Sequence, residues 1–178
     1  MKLVPGRECG ECVECCRVLP INTDVLEKPT GLLCKHCEGG CTVYEKRPGV
    51  CSGWFCGWRY VDYLGDEWRP DKTGVVLRME GEGVTLLVSR ITPFIASLPF
   101  CSLLATWMKN GVPVRLSLLG PAGHFPAIFD PAPHLADELA RRDLPAFSKK
   151  IVDLFEKLIE THVWETDGLA WRSSIVAE

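Results

Sequence analysis

The stretch "CGECVECC", residues 9–16, holds four cysteines in eight residues, two of them adjacent. Cysteine at this density is a chemical statement before it is a structural one. Of the ten cysteines in the 178-residue chain, nine precede residue 57: Cys9, Cys12, Cys15, Cys16, Cys34, Cys37, Cys41, Cys51 and Cys56. Cys101 stands apart in an apolar stretch and reads as a small buried hydrophobe. Three explanations compete for the nine. Disulfides suit small secreted proteins, but the opening "MKLVPGRECG" lacks the apolar core of a secretory signal, and nine is an odd number. Apolar packing does not suit cysteines set among Gly, Glu8, Glu11, Glu14 and Lys35. Metal binding suits the spacing. A Cys-x-x-Cys pair places two sulfurs on one side of a tight turn, so both reach one ion at about 2.3 Å. That pair occurs three times, as Cys9/Cys12, Cys12/Cys15 and Cys34/Cys37.

The adjacent Cys15 and Cys16 carry a further expectation. Neighbouring side chains diverge by about 100° on a helix and to opposite faces on a strand. They are therefore expected to serve two different metals, or one of them to bridge. Two four-thiolate sites would use eight of the nine sulfurs. Three tetrahedral ions would need all nine with three bridging. Two or more metal ions are thus expected. Zinc fits four-thiolate coordination. Iron, or an iron–sulfur cluster, fits the soft donors equally well, although the adjacent fourth cysteine departs from the ferredoxin run. Arg17, Lys35, Lys46 and Arg47 are candidates to offset thiolate charge, with the exposed-surface reading favoured for the lysines. His36, between two cysteines, could replace a thiol, but is expected to be exposed.

These residues carry a resemblance. "CGECVECC" followed by "CKHCEGGCTVYEKRPGVCSGWFC" (residues 34–56) resembles the YkgJ-type cysteine-cluster proteins, a zinc- or iron-chelating domain with a CxxCxxCC signature. The likeness covers residues 9–58, and "RPDKTGVVL" (69–77) is similar to bacterial members. It implies metal chelation by the nine cysteines, with Tyr44, Arg47 and Pro48 matching the second half of the motif. A related motif occurs in flagellin lysine methylases, which hold an iron–sulfur cluster, but nothing beyond the cysteines here points to methyl transfer.

The rest of the chain is ordinary in composition, with 47 % hydrophobic and 24 % charged residues. The net charge of −3 and scattered Lys and Arg argue against nucleic acid as a partner. Residues 91–108 carry no charge, yet Pro93, Pro99 and four hydroxyl side chains favour a buried helix over a membrane span. A cytoplasmic location, where thiols stay reduced, is the expectation. The predicted fold is α+β: an irregular cysteine-rich metal module (1–60) packed on a small, mainly antiparallel sheet with helices (61–164), then a C-terminal tail (165–178).

In detail, "TVYEKRP" (42–48) predicts a short helical turn ended by Pro48. The aromatics Trp54, Phe55, Trp58, Tyr60, Tyr63 and Trp68 are expected to shield the cysteines and dock them on the rest. "RPDKTG" (69–74) reads as a turn and Val75–Glu80 with 84–90 as a β-hairpin. Residues 92–109 predict a helix capped by Thr92 and disturbed by Pro99. A strand follows at 112–119, a loop at 120–126, and helices at 133–142 and 145–163, the last with Leu154, Phe155, Leu158 and Ile159 on one face. His124 in the loop lacks a partner for acid–base work, and Asp130 is too thin a basis for a triad. Three functions stay open: metal binding in a structural or metal-handling role, iron–sulfur redox or catalysis, and a zinc-stabilised interaction module. No catalytic residue is assignable.

Overall fold

The computed structural model describes residues 2–168. The fold is α+β. Its centre is a four-stranded sheet of β3 (Val75–Glu80), β4 (Gly83–Val88), β5 (Val114–Leu118) and β6 (Ala127–Phe129), in that spatial order. A separate two-stranded hairpin, β1 (Ile21–Thr23) and β2 (Leu26–Lys28), lies in the cysteine-rich part. Pairings β3–β4 and β5–β6 are antiparallel, and β4–β5 is parallel. The parallel pairing needs a crossover, and α4 (Leu98–Lys109) supplies it.

Side-chain alternation assigns the two faces of the sheet. Leu77, Leu86, Leu116 and Phe129 are register partners across the four strands. They belong to the main core, with Phe100 and Leu104 of α4 and Phe147, Ile151 and Phe155 of α6 (Leu144–Thr161). α5 (Ala132–Arg141) closes this side with Leu135. The opposite face begins with Val76 and Leu87, which pack with Val18, Leu19, Trp54 and Cys56 of the cysteine-rich part. The module thus covers the back of β3 and β4. Gly57 sits against β3 so closely that a Cβ would collide with the Leu77 side chain.

Several expectations needed adjustment. Pro99 cannot occupy a helix interior, because it lacks an N–H and collides with the preceding turn. The chain instead makes a 3-10 turn over Pro93–Ala96 and starts again at Ser97, whose hydroxyl accepts from Phe100 N at 3.4 Å. Residues 69–74 contain a one-turn helix, α3 (Pro70–Thr73), stopped by Gly74 at φ +74°. On α6 the buried stripe is Phe147, Ile151 and Phe155, four apart, while Ile159 is exposed. β1, β2 and β6 were not anticipated. The predicted helical turn near 42–48 is a 3-10 turn, Tyr44–Lys46. No helix among the described residues is long and apolar enough to cross a membrane.

Two long-range ties, from Arg7 and from Asp167, fasten segments distant in sequence. The Arg7 guanidinium donates to the carbonyls of Trp58 (2.5 Å), Val61 (2.8 Å), Asp62 (3.2 Å) and Leu64. Asp167, in the predicted tail, accepts from Thr30 N (2.9 Å) and Thr30 Oγ1 (2.8 Å). The remainder of that tail, 169–178, lies outside the described residues.

Candidate metal centre

Each cysteine is placed by a local backbone device. Cys12 N donates to Cys9 O at 2.8 Å, closing a turn that Gly10 permits with φ +51°. Cys37 N donates likewise to Cys34 O at 3.0 Å. The next turn returns on itself: Cys37 and Cys41 form an antiparallel bridge, with Gly39 at φ +70°. Cys15 and Cys16 lie on the five-residue helix α1 (Glu14–Val18), and Cys34 N donates to Cys16 O at 3.1 Å. Cys51 lies in α2 (Gly49–Ser52). Cys56 precedes the 3-10 turn Gly57–Arg59 and accepts from Arg59 N at 2.9 Å.

These devices bring the sulfurs together. All ten cysteines are free, and the nine early ones are half-buried. Eight of the nine, all but Cys37, line a single cavity of about 320 Å³. Cys37 joins through direct interaction with the Cys16 thiol. Two neighbourhoods are distinguishable. Cys56 faces Cys9 and Cys12. Cys16 contacts Cys15 and Cys37, and Cys51 lies near Cys16, Cys34 and Cys41. The adjacent pair, Cys15 and Cys16, therefore shares one neighbourhood. As they stand, no group of three or more His, Cys, Asp or Glu side chains among the described residues converges tightly enough to hold a metal ion. Cys101 is apart from all of them, 1 % exposed, its thiol directed to Ile95 O at 3.7 Å.

Burial and mutual proximity favour the neutral form of Cys12, Cys16, Cys37, Cys51 and Cys56. Burial pushes Cys56 up to about 11. Burial and then the Cys16 charge do the same for Cys37. Cys16 is raised furthest, first by the Cys15 thiol hydrogen bonded to it and then by burial. Cys12 and Cys51 are raised mainly by burial. Any cation taken up here must displace protons.

Of the cations the sequence suggested, Arg47 faces the thiols, and the lysines take the exposed positions expected of them. Lys35, Lys46 and Arg17 are exposed. Lys28 is 3 % exposed instead, and its ammonium donates to Arg17 O (2.9 Å), Pro29 O (3.0 Å) and Leu32 O (2.9 Å). Burial draws its pKa down to about 8, against the opposing pull of Cys34, Cys16, Asp167 and Cys15. On the other side, Arg59 Nη1 donates to Cys9 Sγ at 3.3 Å. Despite burial, the Arg59 pKa is raised, by hydrogen bonds to Tyr44 and Cys9. Arg47 stacks on Tyr44 with its guanidinium carbon 3.9 Å from the ring centre, and its charge favours the Cys51 thiolate.

Of the glutamates set among the cysteines, Glu8 and Glu11 are exposed, but Glu14 is not. It is 5 % exposed and pairs with Arg90 Nη1 at 2.6 Å, fastening α1 to the end of β4. His36 is half-buried and lines the cavity, contrary to the expected exposure. Trp54, Phe55 and Trp58 line the cavity as the aromatic pattern suggested, whereas Tyr63 is 62 % exposed. His124 Nδ1 lies 3.1 Å from Ala122 O, and Asp130 Oδ1 accepts from Ala132 N at 2.8 Å, so each is engaged locally. Lys28 and Arg59 went unnoticed in the sequence; the only signal was their nearness to cysteines.

No family model, curated protein or solved structure matches the chain.

Proposed function

We propose that this protein binds metal ions, zinc or iron, through its nine early cysteines, as a structural or metal-handling centre. The observation that carries the reading is the gathering of eight reduced thiols on one cavity. Soft sulfur donors with this crowding suit zinc and iron far better than hard cations. Cys9, Cys12, Cys15, Cys16, Cys34, Cys37, Cys41, Cys51 and Cys56 would hold the ions. Lys28, Arg47 and Arg59 would compensate the thiolate charge that metal uptake creates. Because the ligands must give up their protons and be drawn to a common ion, binding and ordering of the module are coupled. The resemblance of residues 9–58 to the YkgJ-type cysteine-cluster proteins points the same way.

An iron–sulfur cluster is the second reading. What admits it is the gathering of eight soft sulfur donors on one cavity, a donor set that iron–sulfur clusters share with zinc. Anaerobic isolation with elemental analysis separates the two. Stoichiometric zinc in a colourless protein supports the first. Iron and acid-labile sulfide in a brown protein support the second. Protein that stays free of both metals when reduced and supplied with either would sink the proposal.

A further inference from the structure

Two of the nine thiols are set side by side by the backbone itself. Cys37 and Cys41 are partners in an isolated antiparallel bridge. The hydrogen bonds of that bridge come from flanking residues: Thr42 N donates to His36 O at 2.9 Å and Glu38 N to Gly40 O at 3.0 Å. Cys37 and Cys41 are therefore a non-hydrogen-bonded pair, the arrangement that brings opposite Cα atoms closest, about 4.5 Å apart, with both side chains on one face. A disulfide spans Cα atoms about 4.4–6.8 Å apart. The pair meets that requirement without a change of backbone, and both thiols are free.

The loop between them is held in this shape. Gly39 takes φ +70°, which glycine adopts without strain. Thr42 Oγ1 adds a second bond to His36 O at 3.1 Å. Glu38 and Gly39 at the tip are exposed, and the two cysteines are half-buried, so a small reagent reaches the sulfurs. Other close pairs lack the alignment. Cys9/Cys12 and Cys34/Cys37 end hydrogen-bonded turns, where no ladder sets the side chains parallel. Cys15 and Cys16 diverge on α1. Cys16 also adjoins Cys37, but from α1, through the bond of Cys34 N to Cys16 O. It is the rival partner.

We propose that Cys37 and Cys41 form a peroxide-sensitive dithiol: a hydroperoxide joins them in a disulfide, and both sulfurs are thereby lost to metal. With hydrogen peroxide, one thiolate attacks and breaks the O–O bond. Its sulfur becomes a sulfenic acid, and the departing hydroxide takes up the proton that thiol shed. The second thiol attacks the sulfenic sulfur, forms the S–S bond and expels water. Two thiols are oxidised and one peroxide is reduced to two waters. The bridge itself does not depend on the metal-binding reading; the loss to metal rests on it.

The test uses the full reduced chain, stripped of metal and treated with one equivalent of hydrogen peroxide, then alkylated and digested. Trypsin releases residues 36–46, which hold Cys37 and Cys41 and no other cysteine. That peptide is expected first among the cysteine peptides to appear two hydrogens lighter and unalkylated. Cleavage after Glu38 should leave its halves joined until they are reduced. Cys16→Ala keeps the bridge, and Cys41→Ser abolishes it. In guanidinium the preference over Cys9/Cys12 and Cys34/Cys37 should vanish. A first bridge from Cys37 to Cys16 or Cys34, or a preference for Cys41 that survives unfolding, overturns the inference and leaves the metal-binding reading intact. In zinc-loaded protein, zinc should reach a chromogenic chelator in step with the bridge. Zinc retained after bridging overturns the loss to metal. A chain that never takes up zinc overturns that loss together with the metal-binding reading, while the bridge in the stripped chain stands.

Discussion

Residues up to about 57 and those beyond are held by different forces. Before Trp58, only Val18, Ile21 and Leu26 among the described residues are buried hydrophobics. After it, a continuous core runs from Val61 to Phe155 across three strands and three long helices. The first region has turns, short helices and half-buried thiols instead. Its ties are polar: the Lys28 ammonium on three carbonyls within it, and Arg59 on Cys9 and Arg90 on Glu14 from the region beyond. Hydrophobic burial accounts for the second region and leaves the first short of a driving force. The contrast teaches that one chain can place its apolar residues in a scaffold and entrust a neighbouring segment to coordination chemistry.

The strongest way to break that contrast is to remove metal. A structural zinc site contributes about 10–16 kcal/mol in peptide systems, comparable with the ~5–15 kcal/mol of a whole domain. Hydrogen exchange on stripped, reduced protein should show amides 9–56 losing protection while β3–β5 keep theirs. Full protection of 9–56 without metal would erase the distinction. Next in size, Phe155→Ala removes a ring that is 0 % exposed and should cost about 3–5 kcal/mol in denaturant unfolding, with metal content per folded molecule unchanged. Loss of metal from the folded fraction would mean the two regions are not separately supported.

Lys28→Met sharpens the contrast from the module side. It deletes a charged donor from three carbonyls, and a charged hydrogen bond is worth about 1.5–3 kcal/mol. A chelator competition should report weaker zinc binding, with the sheet's exchange rates unaltered. Proton competition is graded with pH. Because Cys37 and Cys56 are pushed up to about 11, they are neutral at pH 7 without metal. Affinity should therefore fall with acid, about tenfold per pH unit for each proton displaced, roughly 1.4 kcal/mol. Calorimetry in two buffers of different ionisation enthalpy counts those protons; a pH-independent affinity would mean the thiols are not the ligands.

The legible parts of the sequence were those where one rule acts alone. The apolar, β-branched runs on either side of Gly81 and Gly83 located β3 and β4, continuous because each face of that hairpin packs on a different neighbour. The Cys-x-x-Cys spacing located the turns, since any such pair closes one. Three-residue strands such as β1, β2 and β6 carry too little pattern to register. The charges buried beside the thiols were illegible for a definite reason. Lysine and glutamate are ordinarily exposed, and only three-dimensional proximity reveals that Lys28 and Glu14 are sealed in by carbonyls and an arginine.

The Arg7 anchor has a bearing on biosynthesis. Its four acceptor carbonyls belong to residues 58 to 64, so the segment carrying Cys9 and Cys12 cannot take its final place until that stretch has left the ribosome. Cys56 emerges in the same interval. A nascent chain shorter than this presents its first four thiols unclaimed, open to oxidants or to whichever cation arrives first. Arrival of Leu64 is the moment at which the loop from 7 to 64 can snap shut.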